Sequence, residues 1–202
     1  LAYAVYTGVK GESLGSGLGA YSAVAAADYS VWDAVRWIAF HFGELTLTSA
    51  VLPAMAFVVT LWHIWTRWDS ARPAERAFVV VALPAFVLLL VQVGVFASRW
   101  ALRIEERTLF YIVPVLIIAL ALWIERGMPR PAPATAVGSA VVAVAIFLPP
   151  YGDLFNPGLV NDTLGLLPMF DAVMKLEGGL NDLRIFMAVG VVVAAFLFAV
   201  TP

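Results

Sequence analysis

The sequence predicts an all-α fold, a polytopic transmembrane helical bundle. Hydrophobic residues make up 62% of the 202 residues and charged residues only 13%, which is too little polar surface to cover a water-soluble domain of this length. Several uncharged stretches approach or exceed the roughly 20 residues that a helix needs to cross a bilayer. These stretches are continuously apolar rather than alternating, which favours helices over transmembrane strands.

We expect residues 1–202 to form a single transmembrane domain that is a fragment of a longer protein, because residues 1–9 resemble the end of an apolar helix. The Gly- and Ser-rich stretch 11–19 is too flexible for bilayer depth and predicts a loop. Residues 30–44 mix aromatic and charged side chains, and Ser30 is a suitable N-cap. We therefore predict an interfacial helix there.

Five full spans are predicted in addition to the truncated N-terminal span and the interfacial helix. Prolines, aromatic belts and charged turns mark their ends. The spans lie at about residues 45–65, 77–98, 108–124, 134–149 and 183–200, and the outer loops at residues 10–44, 99–107 and 150–182. Basic residues are dense in the short connections 66–76 and 125–132, so we predict that these two connections are cytoplasmic.

The run between the second and third predicted spans carries three arginines and two glutamates. Arg99, Arg103 and Arg107 recur at i, i+4 and i+8, so a helical run would place them on one face. Arginine binds phosphate through two parallel hydrogen bonds, and a site beside a bilayer strengthens that pairing. We predict that the three arginines bind a phosphate. The alternative is that they anchor helix ends at the lipid headgroups.

Three further residues are candidates for lining this site. Glu106, if held by Arg103, stays ionised and orients the arginine instead of acting as a base. His41 and Glu44 are three residues apart on the predicted interfacial helix and face the same way. Two residues are too few for a metal site, and a histidine among tryptophans and phenylalanines is more often a packing residue. The prediction therefore contains no metal ligands.

The sequence lacks the motifs of several other functions. It has no nucleotide-binding glycine loop, nucleophilic triad or paired-histidine motif. The five predicted spans contain no carboxylates, which counts against a proton- or sodium-coupled transporter core. No nucleic-acid partner is expected.

Three stretches of the chain resemble a known family. They are residues 106–114 (ERTLFYIVP), residues 123–127 (WIERG) and residues 32–44 (WDAVRWIAFHFGE). These stretches are similar to the C-terminal half of bacterial, actinobacterial-type membrane glycosyltransferases of the GT-C class. Such enzymes transfer a sugar from a polyprenyl-phosphate donor to a cell-envelope acceptor on the extracytoplasmic face, and an acidic residue in their first outer loop acts as the base.

The resemblance implies that Arg107 meets the donor phosphate and that Arg103 assists it. Thr108 stands where a tyrosine is common in the family, so Tyr111 would supply the aromatic contact. The acidic residue that acts as the base would precede Leu1, which leaves no catalytic residue in this chain. The fragment would need no cofactor of its own, and a divalent metal is left open for the full-length protein.

The resemblance also implies the location and the partners. The protein would be a multi-pass protein of the bacterial cytoplasmic (inner) membrane, with the bilayer, a polyprenyl-phosphate-linked sugar and the N-terminal half of the same protein as partners. A second reading is a non-catalytic polytopic protein that binds or translocates lipid-linked intermediates. A third is a membrane anchor whose charges only fix its topology.

Overall fold

The computed structural model describes residues 22–151, 163, 165, 167–175 and 180–200. Helix makes up 83% of the structure and the described residues contain no strand, which confirms the all-α class. The helices are α1 (Ser22–Ala25), α2 (Val31–Thr48), α3 (Leu52–Thr66), α4 (Pro73–Phe96), α5 (Glu106–Leu109), α6 (Val113–Glu125), α7 (Ala132–Phe147), α8 (Leu167–Lys175) and α9 (Leu180–Val200). A π-helical turn over Ala97–Ala101 extends α4.

Several predicted elements lie wholly or partly outside the described residues. The truncated span over residues 1–9 and the loop at residues 11–19 are among them, as is much of the predicted outer loop 150–182.

Within the described residues, two helices are long and apolar enough to cross a membrane, or three if the bent pair α2–α3 counts as one span, which indicates a membrane protein. One is the 29-residue run Pro73–Ala101 and the other is the 20-residue run Glu106–Glu125. They contain the predicted spans 77–98 and 108–124. In contrast, α7 has 16 residues, and in α9 the stretch Met187–Phe196 counts only as a shorter apolar helix, so five full spans are not confirmed.

The predicted first span, residues 45–65, is not one continuous helix, because the chain bends inside it, and α2 and α3 pass as a membrane span only if the bent pair is counted as one. Its first four residues belong to α2, and the axes of α2 and α3 differ by 110°. Ala50 and Val51 lie between the two helices with φ angles of 63° and 64°, which a continuing right-handed helix does not allow. Pro53 lies in the first turn of α3, where a proline costs no helical hydrogen bond.

The start of α2 is as predicted. The Ser30 hydroxyl accepts a 3.3 Å hydrogen bond from the backbone N–H of Asp33 and so caps the helix. The apolar side chains of Trp37 and Phe40 form a buried cluster with Ala97 and Ile104. These contacts join α2 to the end of α4 and to the loop before α5.

Two glycines bring α2 close to its neighbours. A Cβ atom on Gly94 of α4 would overlap Ile38 of α2. A Cβ atom on Gly43 of α2 would overlap the backbone carbonyl of Ala145 in α7. Small residues at such crossings let helix backbones approach each other, as is common in membrane helix pairs. α2 is therefore held between α4 and α7.

Aromatic side chains fill much of the core between the other helices. Phe57 of α3 packs against Phe86 of α4 with their ring centroids 4.9 Å apart. Trp123 of α6 stacks on Phe198 of α9 at 4.8 Å. The Thr60 hydroxyl of α3 donates a 3.3 Å hydrogen bond to the carbonyl of Ala119 in α6, so the two helices are joined by a polar contact within the core.

The two connections predicted to share one side of the membrane lie at the same end of the bundle. Arg72, which precedes α4, donates a 2.8 Å hydrogen bond to Glu125 at the end of α6. Arg126 pairs with Glu75 in the first turn of α4. The Arg99–Arg107 run lies at the opposite end, since α4 and α5–α6 form a helical hairpin. Which end is cytoplasmic stays a prediction.

Candidate functional site

The Arg99–Arg107 run is not one helix. The π-helical turn ends at Ala101, Leu102 adopts a left-handed conformation with a φ of 51°, and a new helix begins only at Glu106. Arg99, Arg103 and Arg107 therefore lie on three separate pieces of backbone, and the single helical face expected for them is wrong. Arg99 and Arg107 are exposed, whereas Arg103 is half-buried.

Arg103 pairs with Glu105 rather than with the predicted Glu106. Its Nε–H donates a 2.9 Å hydrogen bond to Oε1 of Glu105. Among the described residues, the carboxylate of Glu106 contacts Gly165 and Glu44 instead. The predicted orienting role of Glu106 toward Arg103 therefore passes to Glu105.

His41 is fully buried and fixes the loop that carries Glu105. Its Nδ1 lies 2.7 Å from the carbonyl oxygen of Trp37, and the backbone N–H of Glu105 donates a 3.1 Å hydrogen bond to its Nε2. A carbonyl can only accept and an amide N–H can only donate, so these partners define the neutral tautomer with the proton on Nδ1. His41 thus positions the loop backbone and has no ring nitrogen left for a ligand.

Glu44 and Glu106 form a buried carboxyl pair. Their exposed fractions are 1% and 7%, and the two side chains contact each other. The Thr48 hydroxyl donates a 2.5 Å hydrogen bond to Oε1 of Glu44, while Oε2 of Glu44 is buried without a hydrogen-bond partner. A buried polar atom without a partner is rare in native proteins and calls for a physical explanation.

Gly165 completes this cluster. Its backbone N–H lies 3.0 Å from both carboxylate oxygens of Glu106. A Cβ atom at this position would overlap the side chain of Thr48, so only glycine brings its backbone this close. Residue 165 is thereby joined to both α2 and α5.

A groove of about 420 Å³ lies beside this polar cluster. Its floor is the apolar end of α4, and Val24 and Tyr29 close one side. Polar groups enter it from Gln92, Glu105 and Thr108. The Arg103–Glu105 ion pair therefore stands at the edge of a mostly apolar groove, the usual composition of a ligand site.

A larger groove of about 480 Å³ lies between α3 and α4. Its lining is apolar throughout apart from the indole rings of Trp62 and Trp65. Since it lacks the convergent polar groups that orient a ligand, we assign the candidate site to the smaller groove.

A second polar cluster lies at the opposite end of the bundle. Glu75 is 1% exposed and accepts hydrogen bonds from Arg72 and Arg126. Hydrogen bonds to Glu125 and then to Glu75 raise the pKa of the Arg72 guanidinium above its usual range. Both carboxylates of this cluster, Glu75 and Glu125, pair with an arginine, so the cluster has no unpaired carboxylate for a ligand. Its ion pairs join the α3–α4 turn to the end of α6.

The structure brings together some of the predicted site residues and not others. His41 contacts the backbone of Glu105 and Glu44 contacts the adjacent Glu106, as the i, i+3 spacing of His41 and Glu44 indicated. Tyr111 is 79% exposed and lies outside these contacts. Sequence reasoning missed Thr48, Glu105 and Gly165. The i, i+4 spacing of Glu44 and Thr48 is a signal that could have identified Thr48.

The described residues contain no group of three or more histidine, aspartate or glutamate side chains that could hold a metal ion. The comparisons with known proteins add no assignment, because the chain matches no known family model, no curated protein and no solved structure.

Proposed function

We propose that this chain belongs to a multi-pass bacterial inner-membrane glycosyltransferase and binds its polyprenyl-phosphate donor. The observation that carries the proposal is the groove beside the Arg103–Glu105 pair. A polyprenyl-phosphate sugar has a long apolar chain and one anionic head, and the groove offers an apolar floor that ends beside Glu105, within the 99–107 run that carries three arginines. The resemblance of residues 106–114 to the family points the same way.

In this proposal the isoprenoid chain packs along the end of α4 and the phosphate lies at the 102–105 loop. Arg103 is the first phosphate ligand, because Glu105 holds it at the edge of the groove. Arg99 and Arg107 are exposed on either side and supply further positive charge. In the transfer step these arginines stabilise the departing polyprenyl phosphate electrostatically.

One observation favours a second candidate, a protein that binds or translocates lipid-linked intermediates without catalysis. Among the described residues that line the groove, Glu105 is the sole carboxylate, and it is paired with Arg103. The carboxylate therefore holds the arginine in place, which is a role in binding. The two candidates share the binding site and differ in whether sugar is transferred.

The test measures donor binding and transfer in the same preparation. The full-length protein is reconstituted in nanodiscs, and the affinity for a polyprenyl-phosphate sugar is measured for the wild type and for Arg103→Ala, Arg103→Lys and Arg67→Ala. Arg67 is an exposed arginine at the opposite end of the bundle and serves as the control.

We expect Arg103→Ala to weaken binding by about tenfold or more, because it removes a charge-assisted hydrogen bond to phosphate. Arg103→Lys recovers part of that loss, and Arg67→Ala binds like the wild type. Equal affinities for Arg103→Ala and wild type would contradict both candidates. Normal binding with no sugar transfer by the wild type would favour the non-catalytic protein.

A further inference from the structure

We propose that Glu44 and Glu106 form a buried proton-binding site, in which the two carboxyl groups hold one proton in common. This site is distinct from the groove and does not rest on the proposed function. It uses the two acidic side chains that donor binding leaves without a role.

Burial and contact of the two carboxyl groups carry the first step. Glu44 and Glu106 are 1% and 7% exposed and lie side by side. Two carboxylates so placed repel each other, and neither is solvated well enough to offset the repulsion. They require a positive charge between them, from a basic side chain, a bound cation or a proton.

The described basic side chains around the pair do not supply that charge. On α2, both ring nitrogens of His41 are occupied by backbone groups that hold the ring neutral. In the 102–105 loop, Arg103 is paired with Glu105. At the end of α4 and on α5, Arg99 and Arg107 are exposed. From α7 the approach to α2 is apolar, at Ala145.

The hydrogen bonds of the pair leave one position for a donor. Thr48 donates to Oε1 of Glu44, and Gly165 donates to both oxygens of Glu106. Oε2 of Glu44 is buried and lacks a partner. A proton on this atom donates to the neighbouring Glu106 carboxylate, and each carboxyl oxygen of the pair then takes part in a hydrogen bond. Glu44 is therefore the acid of the pair, and Glu106 is the ionised acceptor.

The same arrangement links the proton to Gly165. Gly165 is held by the charge on Glu106 and by its fit against Thr48. Loss of the shared proton places two negative charges in contact across the α2–α5 interface. The resulting repulsion separates Glu44 from Glu106 and weakens the interface that Gly165 bridges.

Infrared spectroscopy of the full chain in lipid tests the site directly. A protonated carboxylic acid has a C=O stretch that an ionised carboxylate lacks. We expect this band at neutral pH in the wild type and in the control Glu125→Gln, since Glu125 is 55% exposed and paired with Arg72. We expect Glu44→Gln to lose the band, because the glutamine amide donates to Glu106 in place of the proton.

Either of two infrared results would overturn the proposal: no protonated-acid band in the wild type, or a band that persists in Glu44→Gln. If Glu44→Gln does not fold, Glu106→Gln replaces it, since its amide donates to an ionised Glu44 and the same loss of the band is expected.

Thermal unfolding distinguishes a proton from a sodium ion. The folded pair binds a proton that the unfolded chain has released. The midpoint temperature of wild-type unfolding should therefore fall as pH rises. The midpoint temperature of Glu44→Gln should fall less, because this variant has no shared proton to lose. Measurements in sodium chloride and in choline chloride at equal ionic strength give the same curves if the ligand is a proton. A sodium-specific rise of the wild-type midpoint at high pH would overturn the proposal in favour of a sodium site.

Discussion

The backbone N–H of Glu105 donates a hydrogen bond to Nε2 of the buried His41 over 3.1 Å. This contact joins residues 64 positions apart and ties α2 to the loop between α4 and α5. The Arg103–Glu105 pair beside the groove and the Glu44–Glu106 pair in the interior both depend on the position of this loop. His41 is therefore the residue that connects the groove with the buried carboxyl pair.

Replacing His41 tests this connection. His41→Ala removes the acceptor for the Glu105 N–H and leaves a cavity at a fully buried position. We expect the free energy of unfolding to fall by about 2–3 kcal/mol. The measurement is equilibrium unfolding in mixed micelles, followed by tryptophan fluorescence. Tyr111→Ala is the control, because Tyr111 is 79% exposed, and it should change the stability by less than about 0.5 kcal/mol. Similar effects of the two substitutions would contradict the role given to His41.

The close crossing of α2 and α7 predicts a large effect of one methyl group. In Gly43→Ala the new Cβ atom overlaps the Ala145 carbonyl, a backbone group that moves only with its helix. We expect a loss of about 2 kcal/mol or more. Gly190→Ala in α9 is the matched control, since a Cβ atom there meets nothing within 4 Å, and alanine should stabilise the helix by about 0.5–1 kcal/mol. Unfolding free energies that change in the same direction for both variants would argue against the crossing.

The bend between α2 and α3 predicts a substitution that stabilises the protein. Ala50 is exposed and has a φ of 63°, a conformation that costs alanine about 1 kcal/mol and glycine almost nothing. Ala50→Gly should therefore raise the free energy of unfolding by about 0.5 kcal/mol. Ala140→Gly is the control, because Ala140 is exposed within α7 and glycine there should cost about 1 kcal/mol. A loss of stability in both variants would show that the chain at Ala50 is right-handed.

The ion-pair cluster at the other end predicts unequal effects of two glutamates. Glu75 is 1% exposed and pairs with two arginines, whereas Glu125 is 55% exposed and pairs with Arg72. Glu75→Ala should lower the free energy of unfolding by about 2 kcal/mol. This loss is smaller than the loss expected for a wholly buried ion pair, because Arg126 is 25% exposed. Glu125→Ala should change the stability little. Equal losses in the same unfolding assay would show that burial of Glu75 does not matter.

Cysteine labelling tests the orientation. The chain contains no cysteine, so single substitutions report without background. Leu102→Cys probes the arginine end, where Leu102 is 63% exposed, and Ser70→Cys probes the other end. With a membrane-impermeant maleimide on intact cells, Leu102→Cys should be labelled and Ser70→Cys should not. The reverse pattern would place the arginine run in the cytoplasm and remove its support for extracytoplasmic donor binding.

Local signals made part of the fold predictable. The Ser30 N-cap and the two long apolar helices follow from residues close together in sequence, and the structure has them where the sequence indicates. The break at Ala50 and Val51 was not predictable from composition, because neither residue is a glycine and no charged residue lies near them. The proline at position 53 is the one local sign of a helix start there.

The candidate site was predictable only in part, because local spacing predicts which residues share a helix face but not which distant residues they contact. The spacing of His41 and Glu44 predicted one helix face correctly. The contact of Glu106 with Gly165 spans 59 residues, and it depends on how the helices pack. No property of residues 99–107 taken alone indicates that Glu105 pairs with Arg103 while Glu106 turns inward, since the two glutamates are adjacent and chemically identical.

The two glycine crossings of α2 have a mechanical consequence. A helix in backbone contact with α4 at Gly94 and with α7 at Ala145 can neither roll about its axis nor slide along its length without a clash on one side. Hydrogen exchange should accordingly be slow along the middle of α2. Any opening that lets water reach Glu44 must then come from movement of the groups packed against α2, and not from movement of α2 itself.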